Sequence, residues 1–287
     1  MSHLKYYAPL PDPGAYLERI GLDPQDYLKA LHPSLPESPS AYSAPHTKES
    51  MDKLVKAHLF TVPFEDLDIY DLRQEVPLGI EELFEKIVVR RRGGYCFELN
   101  GLFYALIESL GFNCYPLASR VLFEGDFSTL RHRVGVAYVE GGRRVVFDVG
   151  FAAAAPVTSL YLDEEKPQRS GKYDFIIDRK GPYEAYRQIL LLPDGTEQPQ
   201  LMFKDERFEP VDFVALGSFM CLNKDARFYN NRVVNLMREN GSVAIDNDML
   251  RIHDEGQLTT VKLASPEELK KAYTEYFGMP ESSLEDF

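Results

Sequence analysis

No segment of the 287-residue chain approaches the roughly 18–20 consecutive apolar residues that a membrane-crossing helix needs. A membrane is therefore excluded as a partner for a spanning helix. Positive charge is scarce as well: 32 Lys and Arg stand against 45 Asp and Glu, a net charge of -13. Proteins that track a phosphate backbone carry a basic face, so nucleic acid is excluded as the expected partner. An anionic small molecule would have to meet a local cluster of Lys, Arg or helix N-termini. Cysteine is sparse: Cys96, Cys114 and Cys221 are odd in number, widely spaced and without a CxxC pair. Neither a disulfide framework nor a metal site is expected. Residues 1–14 lack the charged-then-apolar pattern of a secretory signal. These absences together predict a soluble, cytoplasmic protein. There is no internal repeat and no low-complexity tract. What remains is an ordinary globular composition, 44% hydrophobic and 27% charged, long enough for one large domain or two to three units sharing a core.

The first third reads as helical. A short helix is predicted at Gly14–Ile20, a Pro/Ser-rich loop over 31–46, and a helix at Lys48–Phe60. Ile80, Leu83, Phe84, Ile87 and Val88 recur at helical spacing, with Gly93-Gly94 as the expected stop. Leu99, Leu102, Phe103, Leu106 and Leu110 repeat the period up to Gly111. The middle alternates as strands do: Tyr115–Phe123, Arg133–Val139 and Arg143–Val149 around a Gly141-Gly142 turn, then Tyr173–Ile177 and Ala185–Leu192. This predicts an antiparallel sheet or barrel. The last third is mixed: a helix over Val211–Leu222, short strands at Arg232–Met237, Ser242–Ile245 and Met249–His253, and a capped helix from Ser265-Pro266 to about Phe277.

The chemistry gathers around Cys96. A thiol attacks as thiolate, so its pKa must fall from about 8.5, through a helix N-terminus, a neighbouring imidazolium or both. Cys96 stands at the predicted start of a helix, behind two glycines that let the backbone turn tightly and offer N–H groups to an oxyanion. Tyr95 and Phe97 would wall such a site. The imidazole must come from elsewhere. His132 opens a predicted strand, Asp148 lies on the return strand of the same hairpin, and a turn at 141–142 sets position 148 near 135. An aspartate among apolar strand residues needs a partner, and orienting His132 supplies one.

Arg91–Asn100, with the order Arg-Arg-Gly-Gly-Tyr-Cys-Phe-Glu-Leu-Asn, resembles the nucleophile motif of the arylamine N-acetyltransferase family. Thr61–Asp68, Phe147–Phe151 and Phe228–Val234 are similar to three further segments of that family, in the same order, and the likeness covers roughly residues 15–275. The resemblance implies a Cys96–His132–Asp148 triad. It implies a ping-pong reaction in which Cys96 takes an acetyl or short acyl group from acyl-coenzyme A and an arylamine, arylhydrazine or arylhydroxylamine takes it from Cys96. Coenzyme A thioester is then a co-substrate, and no cofactor is bound permanently. Phe64, Tyr95, Phe97 and Phe151 are implied to touch substrate, and Glu65 and Arg92 to form a structural ion pair. The implied fold class is α+β, with an N-terminal helical bundle (1–112), a central antiparallel β-barrel (113–209) and a C-terminal α/β lid (210–287) on a core related to cysteine peptidases and transglutaminases. The chain departs from the family pattern at Arg131, where Thr or Ser is usual, at Asp66, where Asn is usual, and at Ala152–Ala155.

Plainer roles stand beside these. Cys114 and Cys221 read as small buried hydrophobes. His3, His32, His46 and His253 read as structural or surface residues, while His58, just before the Phe64 segment, could line the cleft. Asp148 could instead pair with a nearby arginine. Three rival functions share the residues: an amide synthase that closes macrolactams on the same triad, a cysteine peptidase or transglutaminase-like enzyme, and a non-catalytic binding protein that would need a broken triad.

Overall fold

The computed structural model describes residues 2–28, 41–122, 128–151 and 154–287. Most of the Pro/Ser-rich loop, His32, Phe123, Ala152 and Ala153 lie outside the described residues. The N-terminal third is helical. Helix α1 (Pro13–Arg19) starts where Asp12 accepts the Ala15 N–H at 3.0 Å, and stops at Gly21, whose φ of +77° suits a residue without Cβ. Helix α2 (Lys48–Leu59) is capped by Thr47, which accepts from Ser50. A two-residue strand β1 (Phe64–Glu65) and a single turn α3 (Leu67–Tyr70) follow. Helix α4 (Ile80–Phe84) does not run straight to the glycines. It widens into a π-helical turn over Glu85–Val89, where the Arg90 N–H donates to the Glu85 carbonyl, and ends at Arg91 with φ +55°. The central helix α5 (Cys96–Ser109) comes next and is buried on nearly all sides.

Eight antiparallel strands follow: β2 (Cys114–Val121), β3 (Leu130–Tyr138), β4 (Arg144–Phe147), β5 (Leu160–Tyr161), β6 (Gln168–Ser170), β7 (Tyr173–Asp178), β8 (Tyr186–Leu191) and β9 (Glu197–Phe203). They form one sheet in the order β5-β4-β3-β2-β9-β8-β7-β6. The sheet curls until its two edges meet. The Gln168 side chain bridges the seam, accepting from the Tyr161 N–H at 2.7 Å and donating to the Tyr161 carbonyl at 2.9 Å. Alternate residues fill the interior: Val134 and Val136 of β3, Val146 of β4, and Phe175 and Ile177 of β7. The opposite face of β3 and β4 lies on α5. There Gly135 leaves room for the Phe147 ring, whose atoms come within 2.0 Å of where a Cβ would stand, and Phe147 packs edge-on against Phe103 of α5.

Helix α6 (Asp212–Leu222) and the turn α7 (Arg227–Asn230) lead into a meander of β10 (Val233–Arg238), β11 (Gly241–Asp246), β12 (Met249–Asp254) and β13 (Gln257–Lys262), closed by α8 (Pro266–Phe277). The start of α8 is capped as its sequence predicts, with Ser265 accepting from the Glu268 N–H and Gly278 at φ +67° ending it. The C-terminal part is interleaved with the first third. Strand β1 pairs with β10, Phe64 opposite Asn235, so the meander borrows its edge strand from the N-terminal third. Helix α6 gives Phe213, Met220 and Cys221 to the core around α5. The architecture is α+β. No helix among the described residues is long and apolar enough to cross a membrane.

Candidate active site

Cys96 is the first residue of α5, 2% exposed. Tyr95 precedes the helix with extended backbone, and Glu98 folds back so that its Oε2 accepts the Tyr95 N–H at 3.0 Å. This cap satisfies one donor, the Glu98 N–H donates to the Tyr95 carbonyl at 3.0 Å, and the Cys96 and Phe97 N–H groups are left without intrahelical acceptors. The glycines before Cys96 act by close approach. Neither has a positive φ. A Cβ on Gly93 would stand 2.0 Å from the Pro63 carbonyl oxygen, and one on Gly94 would meet the Glu98 side chain at 2.8 Å. The chain reversal expected of them is made at Arg91. The gain is that the Phe64 segment docks directly beside Cys96, the Glu65 N–H donating to the Gly94 carbonyl at 3.0 Å.

His132 and Asp148 reach Cys96 from the β3–β4 hairpin. The register pairs Gly135 with Phe147, which sets position 148 opposite 134 rather than 135. That even offset matters, because residues two apart on a strand share a face. His132 and Asp148 thus point the same way, and His132 Nε2 lies 2.6 Å from Asp148 Oδ2. The carboxylate is held on its other oxygen: Oδ1 accepts from Asn100 Nδ2 and from the Gly150 N–H, each at 2.8 Å. Asn100 stands one helical turn after Cys96 and also donates to the Arg133 carbonyl and accepts the Val149 N–H. It ties the helix that begins at Cys96 to the β3–β4 hairpin and the residues that follow it. It appears in the sequence only as the end of the Cys96 motif, and its i+4 spacing from Cys96 was the signal that could have singled it out.

The imidazole is buried, which acts to lower its pKa. The Asp148 charge and hydrogen bond outweigh this, and with a hydrogen bond donated by the imidazole to the Cys96 sulfur they push His132 up to about 10. The Cys96 Sγ also lies 3.6 Å from the Arg131 carbonyl oxygen. Gly150 completes the packing: a Cβ there would meet the Cys96 Cα at 2.8 Å.

A cavity of about 290 Å³ opens at this triad. Phe64, Phe151 and Phe228 give it aromatic wall, and Arg131, Arg227 and Arg251 outnumber the single acid of the lining, Asp246, which pairs with Arg251 at 3.4 Å. The Phe151 ring stands edge-on to His132 at 5.5 Å. Two expected wall residues are elsewhere. Tyr95 and Phe97 are completely buried, packed on each other and on Phe228 and Phe213, and they support the cavity wall from behind. An aromatic just after a helix start turns with the helix into the core, which neighbour-in-sequence reasoning cannot detect. His58 does not line the cleft either. It is buried between Tyr16 and Phe103, its Nδ1 3.0 Å from the Tyr16 hydroxyl. Met220, Arg227 and Phe228 come from one late stretch, Arg131 and Arg251 from two others, and the fold alone joins the three at Cys96.

Glu65 and Arg92 meet as the resemblance implied. Arg92 donates through Nε and Nη2 to Glu65 Oε1 at 3.0 and 2.7 Å, and Nη2 also reaches Asp68. Lys86 joins them, 2.7 Å from both Asp68 and Glu98. Three carboxylates thus share two cations beneath the start of α5, and burial pushes Glu98 up to about 7.

A thiol, an imidazole and a carboxylate in series, with the thiol on a helix start against a curled antiparallel sheet, is the constellation of thiol-dependent enzymes acting on acyl groups. A family model described as N-acetyltransferase matches residues 47–283. The arylamine N-acetyltransferase of Mycolicibacterium smegmatis is 26% identical over 275 residues, 93% of this chain and 92% of that one. A crystal structure of the M. smegmatis enzyme aligns with a TM-score of 0.81 at 26% identity, covering 96% of this chain and 94% of that chain. The Mycobacterium marinum enzyme, solved in complex with CoA, aligns with a TM-score of 0.78 at 24% identity, over 96% of this chain and 97% of that chain. The chain belongs to the N-acetyltransferase family, that of the arylamine N-acetyltransferases, and is an acyltransferase.

Proposed function

We propose that the protein moves an acetyl or short acyl group from acyl-coenzyme A to the nitrogen of an aromatic amine, hydrazine or hydroxylamine through an acyl-Cys96 intermediate. The observation that carries this reading is the Cys96–His132–Asp148 series. An imidazolium beside a thiol is the setting in which sulfur reacts as thiolate. The Cys96 sulfur attacks the thioester carbonyl, the tetrahedral oxyanion is met by N–H groups of the first turn of α5, and the coenzyme A thiolate leaves with a proton from His132. In the second half the amine attacks the acyl-Cys96 carbonyl, His132 takes its proton, and the Cys96 thiolate is released. Asp148 holds the imidazole through Nε2 in both halves. Phe64, Phe151 and Phe228 suit a flat aromatic acceptor, and the three arginines suit the phosphates of coenzyme A. The CoA complex of the M. marinum relative supports the choice of donor. The three cysteines are free, and a working Cys96 thiol agrees with the reducing cytoplasm.

Intact mass spectrometry after exposure to acetyl-coenzyme A tests this. One acetyl group is expected on the wild type, discharged by adding an arylamine, and none on Cys96→Ser. A Cys96→Ser variant with undiminished transfer would refute the mechanism. An enzyme left unlabelled by acetyl-, propionyl- and malonyl-coenzyme A would point instead to an amide synthase.

A further inference from the structure

Consecutive residues of β3 point to opposite faces. His132 faces the catalytic cavity, and Arg133 faces the other way, toward α5 and α6. Arg133 is 4% exposed, and its side chain has no hydrogen-bond acceptor and no carboxylate partner among the described residues; its buried Nε is left unsatisfied. The other buried arginines are accounted for differently. Arg19 donates to the carbonyls of Ile87, Thr61, Arg91 and Arg92, and Arg92 donates to Glu65 and Asp68. Around Arg133 the Phe213 ring centroid lies 4.4 Å from Cζ and the Tyr104 ring 5.7 Å away. Rings attract a guanidinium, but they leave its N–H groups without acceptors. Burial pulls the Arg133 pKa down to about 10, as desolvation of an unpaired cation does.

Arg133 lines a second cavity, of about 130 Å³, shared with Tyr6, Tyr7 and Tyr104 and separate from the one at Cys96. The other charged groups on it are Arg207, Glu108 and Glu209. All three are exposed, Glu209 pairs with Arg207 and Glu108 accepts from the Tyr104 hydroxyl, and none pairs with Arg133. The uncompensated charge in this cavity is the buried one.

We propose that this cavity is a binding site for a small monovalent anion, a halide or a compact carboxylate, that accepts hydrogen bonds from the Arg133 guanidinium. A volume of about 130 Å³ holds such an ion together with a few waters, and the selection for an anion comes from the buried guanidinium. The site is structural in character and touches the triad only through the Arg133 backbone, whose carbonyl receives Asn100. It is independent of which acyl donor the enzyme uses.

The test is bromide, read in two ways. Crystals of the wild type soaked in sodium bromide should give an anomalous peak within hydrogen-bond distance of the Arg133 guanidinium. In solution, sodium bromide at constant ionic strength should raise the melting temperature saturably, by about 3 °C at ten times the dissociation constant. Arg133→Met should abolish that response. Should this variant fail to fold, Ala105→Leu, which fills the same cavity and leaves Arg133 in place, serves in its stead. No peak at Arg133 overturns the proposal. A peak with wild type and variant responding alike means an adventitious ion only, and overturns it too.

Discussion

At the scale of single residues, Asp148 carries more than its sequence context suggests. It receives His132, Asn100 and the Gly150 N–H at once, so two of its three partners bind it for orientation and one for chemistry. Asp148→Asn puts an amide where the imidazole needs an anion. His132 then loses the charge that raises its pKa, and its tautomer is no longer fixed. We expect kcat/KM for acyl transfer to fall by about 10³-fold or more. The His132 titration, followed by NMR, should move from about 10 toward the ordinary histidine value of roughly 6.5. A loss below about tenfold would reduce Asp148 to a packing residue. His58 shows the opposite case. Burial, with Arg19 nearby, drives it down to about 3, so it stays neutral in the fold.

At the scale of elements, the site depends on how closely the loop after β4 approaches the start of α5. Gly150 is the point of closest contact. A methyl group there would stand 2.8 Å from the Cys96 Cα and 2.8 Å from Asn100 Nδ2, and neither backbone nor a doubly bonded amide can give way cheaply. Gly150→Ala should destabilise the fold by about 1–3 kcal/mol, as overpacking does. It should also cut kcat at least tenfold while circular dichroism stays unchanged, because the thiol and imidazole no longer meet. Full activity in this variant would mean that the loop moves freely, against the present reading. The capping of α5 works at the same scale: Glu98 serves the Tyr95 N–H and Lys86 together, so the helix start that bears Cys96 is fastened to the ion cluster of Glu65, Asp68 and Arg92.

At the scale of the molecule, the N-terminal helical segment and the C-terminal meander are sewn together. Strand β1 sits in the C-terminal sheet, Asp66 accepts the Val233 N–H at 2.8 Å, and Arg232 pairs with Asp71. Cooperative unfolding is the natural consequence, and it has a pH dependence. His58 binds no proton in the fold above about pH 3, whereas the unfolded chain binds one below about 6.5. Between these values the unfolded state holds more protons, so stability falls as pH falls. By pH 5 the His58 contribution amounts to about 2 kcal/mol. Urea unfolding of the wild type and of His58→Met at pH 7 and pH 5 checks this. The wild type should lose more than the variant between the two pH values, and equal losses would exclude His58 as the source.

Much of the site was legible in the sequence because its signals are local. A glycine pair before a helical repeat marks Cys96, and a hairpin turn at Gly141-Gly142, both at positive φ, delivers His132 and Asp148. The helix cap at Ser265 is read from neighbouring residues alone. Strands were missed where the local pattern is weak. All six residues of β13 are exposed and show no alternation, β9 contains Pro199 at an irregularity of its pairing, and β1 and β5 are two residues long. The sequence by itself determined the α+β class and singled out Cys96, His132 and Asp148 as candidates, since each is signalled by periodicity, turn chemistry or a contiguous motif. Only the tertiary structure decided which face each strand residue takes, that Tyr95, Phe97 and His58 turn into the core, that Asn100 fastens Asp148, and that Arg133 is buried without a counter-ion among the described residues. Those outcomes depend on contacts between segments tens of residues apart, and no local pattern encodes where such a contact closes.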